Sequence, residues 1–448
     1  MKRLLILAMN IILVIPCAFN QDQNPRLQWW QEARFGMFIH FGIYSIPGRG
    51  EWVRSVERIS NEEYQPYVDE FNPYDYNPEE WATLAKSAGM KYAVMTAKHH
   101  DGFCLFNSEL TDYKSNNSPI GRDLIKEYVN AFRDRGLKVG FYYSIIDWHH
   151  YDYPKYDDPF HPMRGNKKFK DEKINWERYL EYMHGQVREL MTNYGKIDIL
   201  WLDFSYGNMK GEKWKARELV DMIRKLQPEI ILNNRLSGSG GDHSYSEALG
   251  DFITPEQSIP DNPLLDTGGD PVPWETCLTL NNNWGYNKTD QNWKSPELIV
   301  HTLVNCVSKG GNLLLNVGPD ARGNIPDESK EILQQVGKWM AKNSESIYGC
   351  GMAAALEKPD WGRITQKGNK LYLHVMYPLI GPVKLHGYRD RIERVRFVST
   401  GSEAPATDEW WGSPESEGYI FINMDKPIHE TFQWHDPWDT VIEITLNE

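Results

Sequence analysis

The chain has 448 residues, too many for one ordinary domain but enough for a barrel of about 250 to 350 residues plus a smaller module. A formal charge of −13, with no basic cluster of useful length, excludes a nucleic-acid partner. Aromatic residues make up 13%, with 17 Trp and 24 Tyr. That exceeds what a core needs and, because aromatic faces stack on the C–H faces of sugars, suggests a carbohydrate protein.

The N-terminus reads Met1-Lys2-Arg3, then a mostly apolar run from Leu4 to Pro16, then polar Asn20-Gln21-Asp22-Gln23. A short basic segment before an apolar stretch too short to span a bilayer is an export signal. The mature chain is expected to start near Gln21, in the periplasm or outside the cell. Cys17 invites a lipoprotein reading, but Val14-Ile15-Pro16 is a poor match because a small residue, not proline, is expected before a lipidated cysteine. No other segment is apolar for the roughly 20 residues of a membrane helix. Cys104, Cys277, Cys306 and Cys350 are widely spaced and form neither a zinc pattern nor a disulfide framework, so buried thiols are expected.

Short apolar runs that read as buried parallel strands then recur: 36–41, 92–96, 138–143, 197–202, 230–233 and 312–317. Segments of helical patterning alternate with several of them, at 78–88, 121–135, 176–194, 213–226 and 295–308. Strand and helix alternating over some 300 residues predict a (β/α)8-like TIM barrel rather than an open sheet. After about Ile347 the texture changes to short alternating runs at 363–365, 370–376, 383–385, 395–398, 419–422 and 440–445. These predict a C-terminal antiparallel β-sandwich. The expected division is a signal at 1–20, a catalytic barrel at 21–347 and the sandwich at 348–448. Trp410-Trp411 in the sandwich either stack on glycans or pack against the barrel.

Polar groups gather at the strand ends. His40 lies near the end of the first strand; read singly, a lone histidine there is a satisfied core residue. Glu51-Trp52 follows in the next loop, and the second strand ends in Lys98-His99-His100-Asp101-Gly102. Adjacent histidines on a strand point opposite ways, so both serve one pocket only if the chain turns there, which Gly102 makes easy. Ile197-Asp198-Ile199-Leu200-Trp201-Leu202-Asp203 ends in a tryptophan and a carboxylate on the same face, at the end where barrel enzymes keep their chemistry. The bland reading of Asp203 is a turn cap. A metal site is the sharp alternative for the histidines, but the first strand supplies one His where barrel metallohydrolases commonly place an H-x-H pair. Neutral histidines donating to sugar hydroxyls explain the set better. A glycosidase needs two carboxyl groups. Asp203 is a candidate for the first, and Glu256 in Thr254-Pro255-Glu256 and Glu275 in Trp274-Glu275-Thr276-Cys277 compete for the second. Trp274 would raise the pKa of Glu275, while Pro255 suits a loop that holds Glu256 at the rim.

These stretches occur in one order: 35–45, Glu51-Trp52, 98–103, Tyr142-Tyr143-Ser144 with Asp147-Trp148, Trp201-Leu202-Asp203, Asn234-Arg235, Thr254-Pro255-Glu256, 274–277 through Trp284-Gly285-Tyr286, and 311–319. From about residue 27 to 345 the chain resembles the α-L-fucosidases of glycoside hydrolase family 29. The resemblance implies a retaining exo-glycosidase that needs neither metal nor organic cofactor and acts on fucosylated glycans. Carried over residue by residue, it implies Asp203 as nucleophile and His40, Glu51, Trp52, His99, His100, Tyr142 and Trp201 as the groups that hold the sugar. It places Arg235 beside the carboxylates, where a fixed cation keeps Asp203 ionised. The acid/base varies in position within the family; Thr-Pro-Glu favours Glu256, with Glu275 as the alternative. Two departures bear on substrate. Phe204 stands where many members have glycine, which enlarges the apolar wall near the aglycone side, and the loop 148–169 is placed to roof the entrance. Two other readings remain: an α-L-galactosidase of the same family, and a non-catalytic carbohydrate-binding protein lacking one carboxylate.

Overall fold

In the computed structural model, residues 24–238, 249–262, 264–266, 268–353, 355–379, 382–408, 418–422 and 434–447 are described. The expected export signal, Cys17 and Trp410-Trp411 lie outside them.

Seven strands form one parallel sheet: β1 (Phe35–Ile39), β2 (Tyr92–Lys98), β3 (Lys138–Ser144), β4 (Ile199–Asp203), β5 (Ile231–Leu232), β6 (Glu275–Thr279) and β7 (Asn312–Val317), in the order β5-β4-β3-β2-β1-β7-β6. Their residues are buried almost throughout, as expected of strands covered on both faces. Residues 252–256 close the gap between β5 and β6. Asn233 bridges Phe252, Ile253 bridges Trp274 and Glu256 bridges Cys277, all in parallel. This bridged segment is the eighth stave, and it makes the sheet a barrel.

Local signals explain where the outer helices begin. Helix α1 (Gln28–Ala33) precedes β1, and two helices, α2 (Val53–Val56) and α3 (Asn61–Glu70), follow it. Ser60 and Glu63 form a reciprocal capping box on α3. Helix α4 (Pro78–Ser87) starts with proline in its first turn, under an Asn77 cap. Asp123, Asn175 and Ser295 cap α5 (Leu124–Asp134), α6 (Trp176–Asn193) and α8 (Pro296–Ser308). Helix α7 (Ala216–Leu226) lies between β4 and β5, and α9 (Asp327–Asn343) follows β7. The five expected helices match α4 to α8 to within a few residues, while α1 to α3, β6 and α9 were not foreseen.

The barrel interior is filled by Phe38, Tyr92, Val94, Tyr142, Ile199, Trp201, Ile231, Phe252, Cys277 and Leu314. Trp30 of α1 joins this cluster. At Gly36 a Cβ would lie 2.3 Å from the Tyr92 ring, so only glycine lets that ring cross the interior. Beyond the barrel come β8 (Gly351–Met352), β9 (Gly362–Lys367), β10 (Lys370–Val375), β11 (Val383–His386), β12 (Ile392–Phe397), β13 (Ala406–Thr407), β14 (Tyr419–Ile422) and β15 (Thr440–Leu446). They form two antiparallel sheets, β12-β15-β10-β9-β8 and β11-β14-β13, over their own apolar core. The two parts meet through apolar packing, in which Tyr372, Met376, Val398 and Val441 join the core around the barrel, and through polar contacts: Arg363 Nε donates to Asn305 Oδ1 at 2.8 Å, and His301 Nε2 lies 2.7 Å from the Trp438 carbonyl. Cys104, Cys277, Cys306 and Cys350 are free and buried, as expected.

Candidate active site

The C-terminal ends of the strands surround a cleft lined by Phe38, His40, Trp52, His99, His100, Tyr142, Trp201, Asp203, Phe204, Arg235, Glu256, Cys277 and Trp284. Parallel register explains much of the gathering, because it sets Tyr142 beside Trp201 and Ser144 beside Asp203. The paired histidines lie just past β2, where the chain turns with Gly102 at φ +85° and Gly102 N donates to the His99 carbonyl at 3.1 Å. The turn that both imidazoles need in order to face one cleft is present.

Asp203 is held from both sides. Tyr142 Oη donates to its Oδ2 at 2.7 Å, and Arg235 Nη1 donates to its Oδ1 at 2.8 Å. Burial, and then the Asp203 charge, push the Tyr142 phenol well above its ordinary pKa, so it stays a neutral donor. The other end of the same guanidinium reaches Glu256, with Nη2 to Oε2 at 2.9 Å. Arg235 lies 4.3 Å above the centre of the Trp201 ring, and its Nε donates to Thr254 Oγ1 at 2.9 Å. Burial works against its charge, but Asp203 and Glu256 more than offset this and keep it protonated. Two carboxylates on one fixed cation, one deep and one at the mouth, form a pre-organised pair. Glu256 is the outer one, with its side chain 36% exposed. Just beyond it the backbone turns at Gln257, φ +52°, whose N–H donates to the Cys277 carbonyl at 3.0 Å.

The imidazoles of the cleft are neutral. Burial lowers the pKa of His40 and of His100 to about 3, and that of His99 well below the ordinary value. Asn316 Nδ2 donates to the Trp284 carbonyl at 2.7 Å, which turns Oδ1 towards His40 Nδ1, 2.7 Å away. His40 Nδ1 therefore carries the proton and Nε2 the lone pair. Ser144 Oγ donates to the Ile146 carbonyl at 2.7 Å, so it accepts from His100 Nδ1 at 2.7 Å, and His100 Nε2 is the lone-pair nitrogen, 4.0 Å from Asp203 Oδ2. His40 and His100 thus carry a lone pair on Nε2, suited to accept a hydrogen bond from a hydroxyl group rather than to donate one.

Two expected residues stand apart from the cleft lining. Glu51 is buried, and its Oε2 accepts from Gly285 N at 2.8 Å. It fixes the turn that carries Trp284. Glu275 lies at the N-terminal end of β6, fully buried; its Oε2 accepts from Trp30 Nε1 at 3.2 Å and from the Tyr92 hydroxyl. Burial raises its pKa to about 7, which the hydrogen bonds from Tyr92 and Trp30 only partly offset. Sequence reasoning omitted Phe38 and Trp284 from the site. Phe38 was accessible by alternation, two residues before His40 on the same face, and Trp284 belongs to a motif already noted.

A deep carboxylate paired with an outer one through one cation, at the rim of a β/α barrel walled by aromatic rings and acceptor imidazoles, defines a glycoside hydrolase. Comparison with known proteins agrees. The profile of the α-L-fucosidase family matches residues 16–345. The α-L-fucosidase of Dictyostelium discoideum is 29% identical over 357 residues, covering 73% of this chain and 72% of its own. Human tissue α-L-fucosidase is 30% identical over 353 residues, covering 73% and 70%. Among solved structures, α-L-fucosidase isoenzyme 1 from Paenibacillus thiaminolyticus is 56% identical with a TM-score of 0.90, covering 94% of this chain and 99% of that one. A Bacteroides thetaiotaomicron α-L-fucosidase of glycoside hydrolase family 29 is 29% identical with a TM-score of 0.81, covering 95% of each; a relative from that organism has been trapped as a covalent intermediate with a 2-fluoro-fucosyl fluoride. The chain belongs to the α-L-fucosidase family, glycoside hydrolase family 29.

Proposed function

We propose that this protein releases terminal α-L-fucosyl residues from glycans with retention of configuration, using Asp203 as nucleophile and Glu256 as acid/base. The observation that carries the assignment is Arg235, whose two terminal nitrogens hold Asp203 at 2.8 Å and Glu256 at 2.9 Å. In the first step an Asp203 oxygen bonds to the anomeric carbon, the glycosidic C–O bond breaks, and the departing oxygen takes the Glu256 proton. In the second, Glu256 takes a proton from water, the water oxygen bonds to the anomeric carbon, and Asp203 leaves as carboxylate. Arg235 and Tyr142 stabilise the Asp203 charge before the attack and again as it leaves. His40, His99 and His100 receive sugar hydroxyls, and Trp52 supplies a ring face.

Glu275 is the weaker candidate for acid/base, because its full burial at the other end of β6 leaves it no path to the departing oxygen. Residues 1–20 are proposed as an export signal, 21–347 as the catalytic unit and 348–448 as the accessory sandwich. No helix of the described residues is long and apolar enough to cross a membrane. The test is release of p-nitrophenol from the aryl α-L-fucoside and α-L-galactoside by the wild type and by Asp203→Ala, with and without azide. Turnover of the fucoside, loss in the variant and rescue as a glycosyl azide are expected. An Asp203→Ala protein that cleaves at the wild-type rate removes the assignment.

A further inference from the structure

Phe204, the residue after Asp203, has φ +92°, a backbone conformation that suits glycine and strains a residue bearing a Cβ. Such strain persists only where the surroundings impose it. Here they are four rings: His100 at 4.7 Å between centroids, Phe160 at 5.0 Å, Trp52 at 5.4 Å and Tyr206 at 5.5 Å. The roof behind them is fixed. Ser55 Oγ donates to the Phe160 carbonyl at 2.5 Å, Arg164 donates to the Ser55 carbonyl at 3.0 Å, and the Tyr206 and Tyr153 hydroxyls both donate to Asp158 Oδ2.

The place of this wall relative to the sugar follows from His100, on the reading above that Asp203 attacks the anomeric carbon. The lone-pair nitrogen of His100 lies 4.0 Å from the attacking carboxylate, the distance at which it meets the hydroxyl on the carbon next to the one attacked. Phe204 and Trp52, 4.7 and 5.3 Å from His100 and 5.4 Å from each other, form one continuous wall beside that hydroxyl. We propose that Phe204 is a specificity-determining residue: its ring, held in a glycine-type conformation, closes the space beyond the O2 hydroxyl, so that the enzyme takes only fucosyl residues unsubstituted at O2.

The test compares aryl α-L-fucosides that are unsubstituted, 2-O-methylated and 2-deoxy, with the wild type, Phe204→Gly and Phe160→Ala. The wall predicts that the wild type discriminates against the 2-O-methyl ether by about 100-fold in kcat/KM, and that Phe204→Gly narrows this by about 10-fold. The 2-deoxy sugar loses the hydrogen bond without meeting the ring, so its penalty is expected to stay unchanged in the variant. Phe160→Ala, which loosens the wall without touching the strained residue, is expected to change the ratio in the same direction by less. An unchanged 2-O-methyl ratio in both variants, or equal use of both substrates by the wild type, overturns the proposal. If the wild type cleaves none of the three, the activity reading fails separately, and thermal shifts with free L-fucose and its 2-O-methyl ether decide. The wall then requires the wild type to respond to fucose alone and Phe204→Gly to both, and any other pattern overturns it.

Discussion

The two ends of this barrel each hold carboxyl groups among aromatic residues, yet they are built for opposite tasks. At the rim, Asp203 and Glu256 share the Arg235 guanidinium and the outer one reaches solvent. At the floor, Glu275 is buried with a phenol and an indole as donors, and burial raises its pKa to about 7. A pKa near neutrality is what a general acid needs, so by that measure alone Glu275 looks the better acid. Access and a shared cation separate the two. A raised carboxyl pKa in a sealed core reports desolvation, whereas a carboxylate fixed beside a cation at an opening is placed to act.

Substitutions sharpen this contrast, starting with the largest effect. Asp203→Ala is expected to lower kcat by about 1,000-fold or more, read from aryl fucoside release, since it removes the proposed nucleophile. Arg235→Met is expected to cost about 100-fold in kcat and roughly 3–5 kcal/mol of stability by denaturant unfolding, because Asp203 is left buried without its cation. Glu256→Gln should lose about 100-fold on substrates with poor leaving groups and far less on activated aryl fucosides. Glu275→Gln should leave kcat/KM within about threefold, its cost being about 1–3 kcal/mol of stability; a larger catalytic loss there than at Glu256 would reverse the assignment.

The floor carboxyl also leaves a mark on stability against pH. Its folded pKa is raised from 4.5 to about 7, so across that window the folded state keeps a proton that the unfolded chain has released. Stability therefore falls as pH rises through the window, by up to about 3 kcal/mol from this group, and is flat above it. Melting curves from pH 5 to 8 should show a shallower decline in Glu275→Gln than in the wild type. Trp30→Phe, which removes one donor to Glu275, is expected to cost only about 1 kcal/mol and no activity.

The barrel was legible in the sequence wherever a strand reads as a continuous apolar run, because burial on both faces leaves no other pattern. Strand β6 escaped notice because Glu275-Thr276-Cys277-Leu278-Thr279 carries a carboxyl and two hydroxyls inside a closed barrel. The stave at 252–256 escaped because it is short and joined to its neighbours by single bridges. Asp203, Arg235 and the histidines were legible because polar groups at strand ends stand out against apolar runs. The sequence favoured Glu256 over Glu275 only through the Thr-Pro-Glu resemblance, since sequence neighbours such as Trp274 say nothing about which end of the barrel a side chain faces. The indirect role of Glu51, through Gly285, depended on a contact between residues 234 positions apart.

The stave at 252–256 has a consequence for how this scaffold changes over time. It pairs through isolated bridges where the other strands pair through ladders, with four backbone hydrogen bonds towards the β6 side, and its amides are expected to exchange with solvent before those of β1 to β4. Asp203 rides on a strand locked by β3 and β5, where a shift of one residue would turn a whole row of side chains inside out. Glu256, proposed above as the proton donor, sits instead on the part of the wall that can be lengthened, shortened or rethreaded with the least damage to the cylinder. Lineages built on this scaffold are free to supply that proton from new places while the attacking carboxylate stays where it is.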